Sequence, residues 1–199
     1  MKEKIVIDSS VNNSIIMLRD ILCEYLIPII KSERPIVILC IGSDRSTGDS
    51  LGPLIGYKLR FLSRENLYIY GSLDNPVHAK NLCEITSKIQ NEYKNPYIIA
   101  IDACLGNVQN IGKICIEEKA LCPGSAMNKN LPPIGNLSIT GIVNISGTLE
   151  FMVLQNTRLN TVMQLADVIS KGIYHSILKT IGGRKPQKHL STFGIENHI

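Results

Sequence analysis

Tryptophan is absent from the sequence, and the other aromatic residues, seven tyrosines and three phenylalanines, make up 5% of its 199 residues. Few aromatic side chains leave few surfaces on which nucleic-acid bases could stack, and the net charge of +4 is too mild to mark a nucleic-acid-binding protein. Long apolar runs are also missing: segments such as "YIIAI" have the length of a strand, whereas a membrane-spanning helix needs roughly 20 apolar residues. We therefore expect neither direct nucleic-acid binding nor a membrane-spanning segment.

The six cysteines follow no metal-binding spacing, and no C-x-x-C pair occurs. Most of them lie in apolar runs, which favours buried free thiols in a reducing cytoplasm over disulfides. The first residues, "MKEKIVIDSS", contain an apolar stretch that is too short for a secretory signal and is interrupted by Asp8. These features predict a cytoplasmic protein.

A chain of this length with 44% hydrophobic residues can bury a full core, and it contains no repeat, low-complexity linker or change of composition. We therefore predict one domain over 1–199, with its core at 35–155. Apolar residues recur every three or four positions at about 12–31, which predicts an amphipathic helix that Pro28 kinks or ends. The basic tail at about 182–199 is expected to be a solvated end.

Strand-like and helix-like segments alternate after the first helix. "PIVILC" is a continuous apolar run of strand length, which is typical of a strand covered on both faces. A helix pattern begins at Asp49 or Ser50 and is followed by "NLYIYGS", a second helix and "YIIAIDAC". Two successive strand-helix-strand units indicate a parallel sheet with helices on both faces. We therefore predict an α/β fold, a three-layer α/β/α sandwich with a mostly parallel sheet, in which ligands bind at the carboxyl ends of the strands.

The alternation is less regular beyond Cys104. "GKICIEE" predicts a short strand that could be antiparallel, and "LSITGIVNI" predicts another strand. Between them, "KALCPGSAMNKNLPPIGN" is rich in turn-forming residues and predicts a long ordered loop. The remainder of the folded chain predicts one or two C-terminal helices.

The segment "CIGSDRSTGDSLGPLIG" places glycines between the first predicted core strand and a helix, where a phosphate could bind. Its glycines match neither G-x-G-x-x-G nor a Walker loop, and Asp44 and Asp49 would repel a phosphate. Gly52 and Gly56 are better explained by close packing of the helix against the sheet. No nucleotide cofactor is predicted.

Two carboxylates follow predicted strands. Asp49 stands at a helix start, and Asp102 follows the apolar segment "YIIAI". Each has an ordinary structural interpretation, since Asp49 could cap the helix and Asp102 could cap the following turn. If the two side chains instead face each other at the sheet edge, repulsion between like charges raises one pKa. One acid then holds a proton while the other activates water.

His78 and Ser125 are further candidates. His78 follows Pro76 after the second strand of the predicted sheet. It could be a polar residue at a helix start, an acid-base partner, or a ligand that completes a divalent-metal site with Asp49 and Asp102. Apart from such a metal, no cofactor is expected. Ser125 in "PGSA" is the most plausible serine nucleophile, although no G-x-S-x-G elbow is present.

Four segments resemble one known family: "CIGSDRSTGDSLGPLIGYKL", "YGSLDNPVHAKNL", "IDACLG" and "PGSAMNKNLPPIGNLSITGIVN". Together, from about Pro35 to Leu154, they resemble the YyaC family of sporulation proteins. That family is similar to the spore germination protease, which belongs in turn with the hydrogenase maturation proteases. The resemblance implies a phosphorylase/hydrolase-like fold of the hydrogenase maturation protease type.

The resemblance also implies roles for individual residues. It makes Asp49 and Asp102 the catalytic pair of an aspartate-dependent endopeptidase. Thr47 and Ser125 match positions in the motifs of the germination protease, whereas Ser43 stands where that protease has asparagine. The resemblance therefore implies that these three residues support the site or bind substrate.

The implied partners are protein or peptide substrates, in particular small acid-soluble spore proteins, and the implied location is the forespore or spore core. In the hydrogenase maturation enzymes, the positions of Asp49 and Asp102 contact a metal. A metal-dependent hydrolase with His78 as a further ligand is therefore one alternative. Another is a non-catalytic spore binding or assembly protein that keeps the fold. An oligomer is compatible with the sequence.

Overall fold

The computed structural model describes residues 3–123 and 132–182. The strands in these residues are β1 Ile5–Asp8, β2 Ile36–Cys40, β3 Leu67–Tyr70, β4 Tyr97–Gly106, β5 Lys113–Glu117 and β6 Leu137–Ile145. The α-helices are α1 Ser14–Lys31, α2 Leu51–Leu59, α3 Leu82–Glu92, α4 Glu150–Gln155 and α5 Leu159–Thr180.

The strands form one sheet in the order β1-β5-β6-β4-β2-β3. β2 is parallel to β3 and to β4, and β4 is parallel to β6. β5 is antiparallel to both of its neighbours, β1 and β6. The predicted mostly parallel sheet is therefore confirmed, and the strand at "GKICIEE" is antiparallel.

Helices cover both faces of the sheet. On one face, α1, α2 and α5 share a cluster of buried apolar residues with all six strands. On the other face, Leu82 and Ile89 of α3 belong to a second cluster that includes Val37 of β2 and Ile98 of β4. All five residues of β2 are buried, as expected of a strand covered on both sides. The predicted three-layer α/β/α architecture is confirmed.

The face below α3 is covered unevenly. Its buried cluster takes its strand residues from β2 and β4, with partly buried side chains of β3 packed against it. Along β6, Leu137 and Ile139 point to the opposite face and belong to the larger core. The residues that alternate with them, Ser138 and Thr140, therefore lie on the α3 side. Polar side chains thus lie on this side of the sheet, of which Ser138 is buried and Thr140 is partly exposed.

β1 was not anticipated, and α1 differs slightly from its prediction. β1 pairs with β5, with Ile5 opposite Ile116. A partner so distant along the chain leaves no local signal in the four-residue segment. α1 includes Pro28 and continues to Lys31, so the proline does not end the helix.

Asp102 lies inside β4 and not after its end, which corrects the sequence-based expectation. β4 continues because β6 pairs with it as far as Gly106, which stands opposite Ile145. On the other side of β4, β2 ends at Cys40, opposite Ile101. Asp102 is therefore the first residue of β4 beyond the end of β2.

Within residues 3–123 and 132–182, no helix has the length and apolar character needed to cross a membrane. Ser125 and nearly all of the predicted basic tail lie outside the described residues.

Candidate active site

The chain leaves β2 through a turn at Gly42 that requires glycine. Gly42 has φ +140°, and a Cβ atom there would lie 2.0 Å from the carbonyl oxygen of Asp49. The Ser43 N–H donates a hydrogen bond to that same oxygen at 3.0 Å. The loop after β2 is thus folded back onto the backbone that carries Asp49.

Asp49 is the middle residue of a 3-10 turn, Gly48–Ser50, that leads into α2. Thr47 precedes this turn and contributes the carbonyl that accepts a hydrogen bond from the Ser50 hydroxyl at 2.7 Å. The N-cap of α2 is Ser50. Of the two residues that could have begun the helix, the structure therefore assigns the cap to Ser50 and leaves Asp49 in the preceding turn.

Gly48 packs this turn against the end of α4. A Cβ atom at Gly48 would lie 2.8 Å from both Leu154 Cδ2 and Thr157 Oγ1. The Thr157 hydroxyl accepts a hydrogen bond from Asn144 Nδ2 at 3.2 Å and donates one to the Val153 carbonyl at 2.8 Å. Because Asn144 belongs to β6, the turn that carries Asp49 is held against the sheet on which Asp102 lies.

The Asp102 carboxyl group is buried, with 9% of the residue exposed. Its Oδ1 accepts a hydrogen bond from the Ala103 N–H at 2.8 Å, and the residue stands opposite Thr140. Burial raises the pKa of Asp102 well above its usual range, the charge of Asp49 raises it further, and the Ala103 hydrogen bond opposes both effects. Asp102 therefore keeps its proton to a higher pH than an exposed aspartate does.

Asp49 and Asp102 line one cleft of about 440 Å³, which we call the acid cleft. Glu117, at the end of β5, lies there in ion pairs with Lys4 and Lys119. The lining residues are Asp49, Asp102, Ala103, Cys104, Leu105, Glu117, Lys119, Ala120, Leu121, Cys122, Ser138, Thr140, Glu150 and Leu154. The cleft therefore combines a carboxyl pair with the polar face of β6 and with α4.

A second cleft of about 500 Å³, which we call the His78 cleft, adjoins the first. Its lining residues are Ser43, Arg45, Ser46, Asp49, His78, Ala79, Lys80, Phe151, Leu154 and Gln155. Asp49 and Leu154 line both clefts. A molecule that occupied both clefts would therefore contact Asp49 in each of them.

His78 is held by the turn that precedes α3. Its backbone N–H donates to Asn81 Oδ1 at 2.8 Å, and its ring Nδ1 accepts from the Lys80 N–H at 3.3 Å. These contacts agree with the interpretation of His78 as a polar residue at a helix start. His78 and Asp49 line the His78 cleft, whereas Asp102 lines the acid cleft.

The donor set does not fit a three-ligand metal site. Within the part of the chain that the structure describes, no three His, Cys, Asp or Glu side chains are grouped so that they could hold a metal ion. Asp49, Asp102 and His78 therefore do not form such a group, and we derive no chemical step through a metal.

The structure brings together some of the predicted residues and adds others. Asp49 meets Asp102 in the acid cleft and meets Ser43 and His78 in the His78 cleft, whereas Thr47 lines neither. Three further lining residues, Thr140, Glu150 and Leu154, were not predicted. The alternation of polar and apolar residues in "LSITGIVN" was a usable signal for Thr140, but Glu150 and Leu154 reach the site only through the packing of α4.

Comparison with known proteins assigns the chain to a family. Residues 6–172 match the family described as a protein of unknown function (DUF1256). The chain belongs to the DUF1256 family. It is also 51% identical over 140 residues to the uncharacterized protein YyaC of Bacillus subtilis (strain 168), over 70% of this chain and 68% of that protein. The family resemblance expected from the sequence motifs is therefore confirmed.

Among solved structures, the DUF1256 chain is similar to the [NiFe] hydrogenase maturation protease HycI from Thermococcus kodakarensis KOD1. The similarity has a TM-score of 0.47 and 17% identity, and it covers 72% of this chain and 92% of that one.

Proposed function

We propose that this protein is an aspartate-dependent endopeptidase in which Asp49 and Asp102 act as a pair. The observation that carries the proposal is the buried Asp102 carboxyl, which shares a cleft with Asp49 and has a pKa raised by burial and by that neighbour. Two interacting acids of which one is kept protonated can act as acid and base in the same reaction. This arrangement suits hydrolysis of an amide bond by water.

In the proposed reaction, Asp49 is the general base, and Asp102 is the protonated acid that polarises the scissile carbonyl. Asp49 lines both clefts and takes a proton from the attacking water, while the protonated Asp102 donates a hydrogen bond to the oxygen of the scissile carbonyl. The water oxygen bonds to the carbonyl carbon, and the proton taken up by Asp49 then passes to the amide nitrogen. The C–N bond breaks, the amine leaves, and Asp49 is a carboxylate again while Asp102 keeps its proton. The raised pKa of Asp102 favours this assignment over its reverse.

The surrounding residues take supporting roles in the proposal. Ser43 fixes the backbone of Asp49 through its N–H, and Thr47 does so through the hydrogen bond from Ser50. His78 lines the cleft through which substrate reaches Asp49. Ser125 lies outside the described residues, and the proposal gives it no step.

The resemblance of the sequence motifs to sporulation proteins and to the germination protease favours a spore substrate. We therefore propose small acid-soluble spore proteins as substrates and the forespore or spore core as the location. The acid cleft and the His78 cleft adjoin at Asp49, which suits a chain that continues on both sides of the bond to be cut.

Incubation of the purified protein with a small acid-soluble spore protein tests the proposal. Asp102→Asn and Asp49→Asn are each expected to slow cleavage about 10²- to 10⁴-fold, the usual cost of losing one acid-base group. Asp44→Asn is the matched control, because Asp44 is exposed, lies in the same loop and lines neither cleft. Equal cleavage by Asp102→Asn and the unchanged protein, or no cleavage between about pH 4 and pH 8, contradicts the proposal.

A non-catalytic binding role is the second candidate, and the surface beside the clefts favours it. Leu149, Phe151 and Met152 are each more than half exposed at the start of α4, and Phe151 lines the His78 cleft. Exposed apolar side chains beside a groove are typical of a peptide-binding surface. Binding of the spore protein with equal affinity by the unchanged protein and Asp102→Asn, without cleavage by either, would establish this role.

A further inference from the structure

β3 forms one outer edge of the sheet. It pairs with β2, and the structure describes no strand on its other side. Backbone groups along a strand point alternately to its two edges. The Asn66 carbonyl points to β2, because it accepts the Ile36 N–H at 2.8 Å. Three residues further along, the N–H and C=O of Ile69 therefore point away from β2.

The neighbouring outward amide is already used within the chain. Leu67 N–H donates to the Arg64 carbonyl at 3.4 Å, which closes the start of the strand. Gly71, with φ +85°, turns the chain away after Tyr70. The backbone of Ile69 is thus the central hydrogen-bonding unit that this edge presents to a partner.

A groove of about 890 Å³ runs along this edge. All four residues of β3 line it, and α2 and α3 contribute residues on either side, among them Gly56 and Ile85. Three tyrosines, Tyr68, Tyr70 and Tyr93, form an aromatic wall of this groove, and contacts between them hold their side chains in place. The rings of Tyr68 and Tyr93 stack with centroids 4.0 Å apart, and the hydroxyls of Tyr70 and Tyr93 lie 3.0 Å apart. The groove is therefore formed before anything binds in it.

The groove is not built as an anion site. The Arg60 guanidinium lies over the Tyr57 ring at 3.7 Å from its centroid and donates to the Tyr57 carbonyl at 2.7 Å. This cation is therefore already held by its own helix. Lys88 and Asp74 also line the groove, so its remaining charges are of both signs. The open strand edge and the aromatic wall are features of a site for an extended chain.

His78 joins this groove to the candidate active site. It lines the groove along β3 and also the His78 cleft, which contains Asp49. The His78 cleft in turn adjoins the acid cleft through Asp49 and Leu154. A continuous path therefore leads from the edge of the sheet past His78 to the carboxyl pair. Each of the three cavities alone has the size of a small-molecule site. Joined end to end, they are longer than a small molecule needs and suit a polymer.

We propose that an extended, unfolded segment of the substrate protein binds along β3 as an added strand and passes His78 to reach Asp49 and Asp102. The inference rests on the proposed peptidase function and adds a substrate class to it. The backbone of Ile69 supplies the pairing, the tyrosine wall contacts side chains, and cleavage requires a segment without secondary structure of its own.

Amide hydrogen exchange measured by NMR tests this binding mode. The Asp102→Asn protein is used with a small acid-soluble spore protein, so that the bound chain stays intact. At about ten times the dissociation constant, exchange of the Ile69 N–H is expected to slow about tenfold. The outward amides of β1, the other edge strand, serve as the internal control and should exchange at an unchanged rate.

Two substitutions distinguish the contribution of the Ile69 backbone to binding from that of its side chain. Ile69→Pro removes the outward N–H at a position where an edge strand tolerates proline, and it is expected to weaken binding about fivefold, the value of one hydrogen bond. Ile69→Val keeps the N–H and should bind like the unchanged protein. Thermal unfolding of each variant verifies that it is folded.

The outcomes distinguish this inference from the proposed function. Slower exchange at Ile69, with binding weakened by Ile69→Pro alone, supports strand addition. Strand addition is wrong if the exchange of the Ile69 N–H does not slow, or if both substitutions weaken binding equally. In either case, cleavage of the spore protein by the unchanged protein means that the peptidase function stands. Absence of both binding and cleavage overturns both proposals.

Discussion

The two faces of the sheet are formed by the same strands but have different roles. On the face beneath α1, α2 and α5, β6 contributes Leu137 and Ile139 to one large apolar core. On the opposite face, the same strand presents Ser138 and Thr140, and β4 presents Asp102, to the acid cleft. One strand therefore stabilises the fold with one side and builds the site with the other.

The difference follows from the number of helices on each side. In the described residues, α1, α2, α5 and Leu154 of α4 belong to the cluster on one face, whereas α3 is the helix of the cluster on the other face, over β2 and β4. Where that layer ends, a polar side chain needs hydrogen bonds instead of apolar contacts, as the Ala103 N–H supplies to Asp102. The site thus occupies the part of the sheet on which the helical layer is incomplete.

Neighbouring substitutions in β6 give the largest expected difference between the two faces. Ile139→Ala removes a fully buried side chain, and we expect the free energy of unfolding to fall by about 2–5 kcal/mol. Thr140→Val keeps the shape of a partly exposed residue in the cleft but removes the hydroxyl that interacts with Cys104, and we expect a loss of about 1 kcal/mol. Urea unfolding measures both. Equal losses would show that the cleft face carries as much of the stability as the core.

A glycine substitution tests how tightly the site side is packed where it meets α4. Gly48→Ala places a Cβ atom 2.8 Å from Leu154 Cδ2 and Thr157 Oγ1, and we expect a loss of about 1–3 kcal/mol from this overpacking. Because Asp49 follows directly, cleavage of the spore protein should fall by more than the loss of folded protein explains.

Gly147→Ala is the matched control for Gly48→Ala. No atom of the described residues outside its own chain neighbours lies within 4 Å of a Cβ added at Gly147, so its stability and activity should not change. If Gly48→Ala unfolds and cleaves like this control, the contact between α4 and the Asp49 turn does not position the site.

Local patterns were sufficient to predict the central strands and to single out Asp49 and Asp102. The strands around "PIVILC" and "YIIAI" are continuous apolar runs, so their position in a covered parallel sheet could be predicted. The possibility that Asp49 and Asp102 face each other was raised from the rule that strand ends share an edge. The two residues line one cleft, although Asp102 lies inside β4 and not at its end. Their roles as catalytic residues stay a prediction.

Features that depend on distant partners could not be predicted in the same way. β1 exists because β5 pairs with it, and Asp102 lies within β4 because β6 extends beyond the end of β2. Glu150 enters the cleft because α4 packs on Gly48, a contact between segments about a hundred residues apart. None of these contacts leaves a periodic pattern in the sequence near the residue concerned.

The pH dependence of stability tests how unfavourable it is to ionise Asp102 in the acid cleft. Because burial and Asp49 raise its pKa in the folded state, the folded protein binds more protons than the unfolded one between the usual aspartate pKa of 3.8 and the raised pKa. The free energy of unfolding should therefore fall as pH rises through that interval, by up to about 1.4 kcal/mol per pH unit from this group. Asp102→Asn should lack this pH dependence. Asp49→Asn should show it over a narrower pH range, because this substitution removes the charge that raises the pKa of Asp102.

Urea midpoints at several pH values for the three proteins measure how steeply the free energy of unfolding changes with pH. Identical slopes in the unchanged protein and Asp102→Asn would mean that Asp102 is no harder to ionise in the fold than in the unfolded chain, and the acid-base assignment would lose its basis.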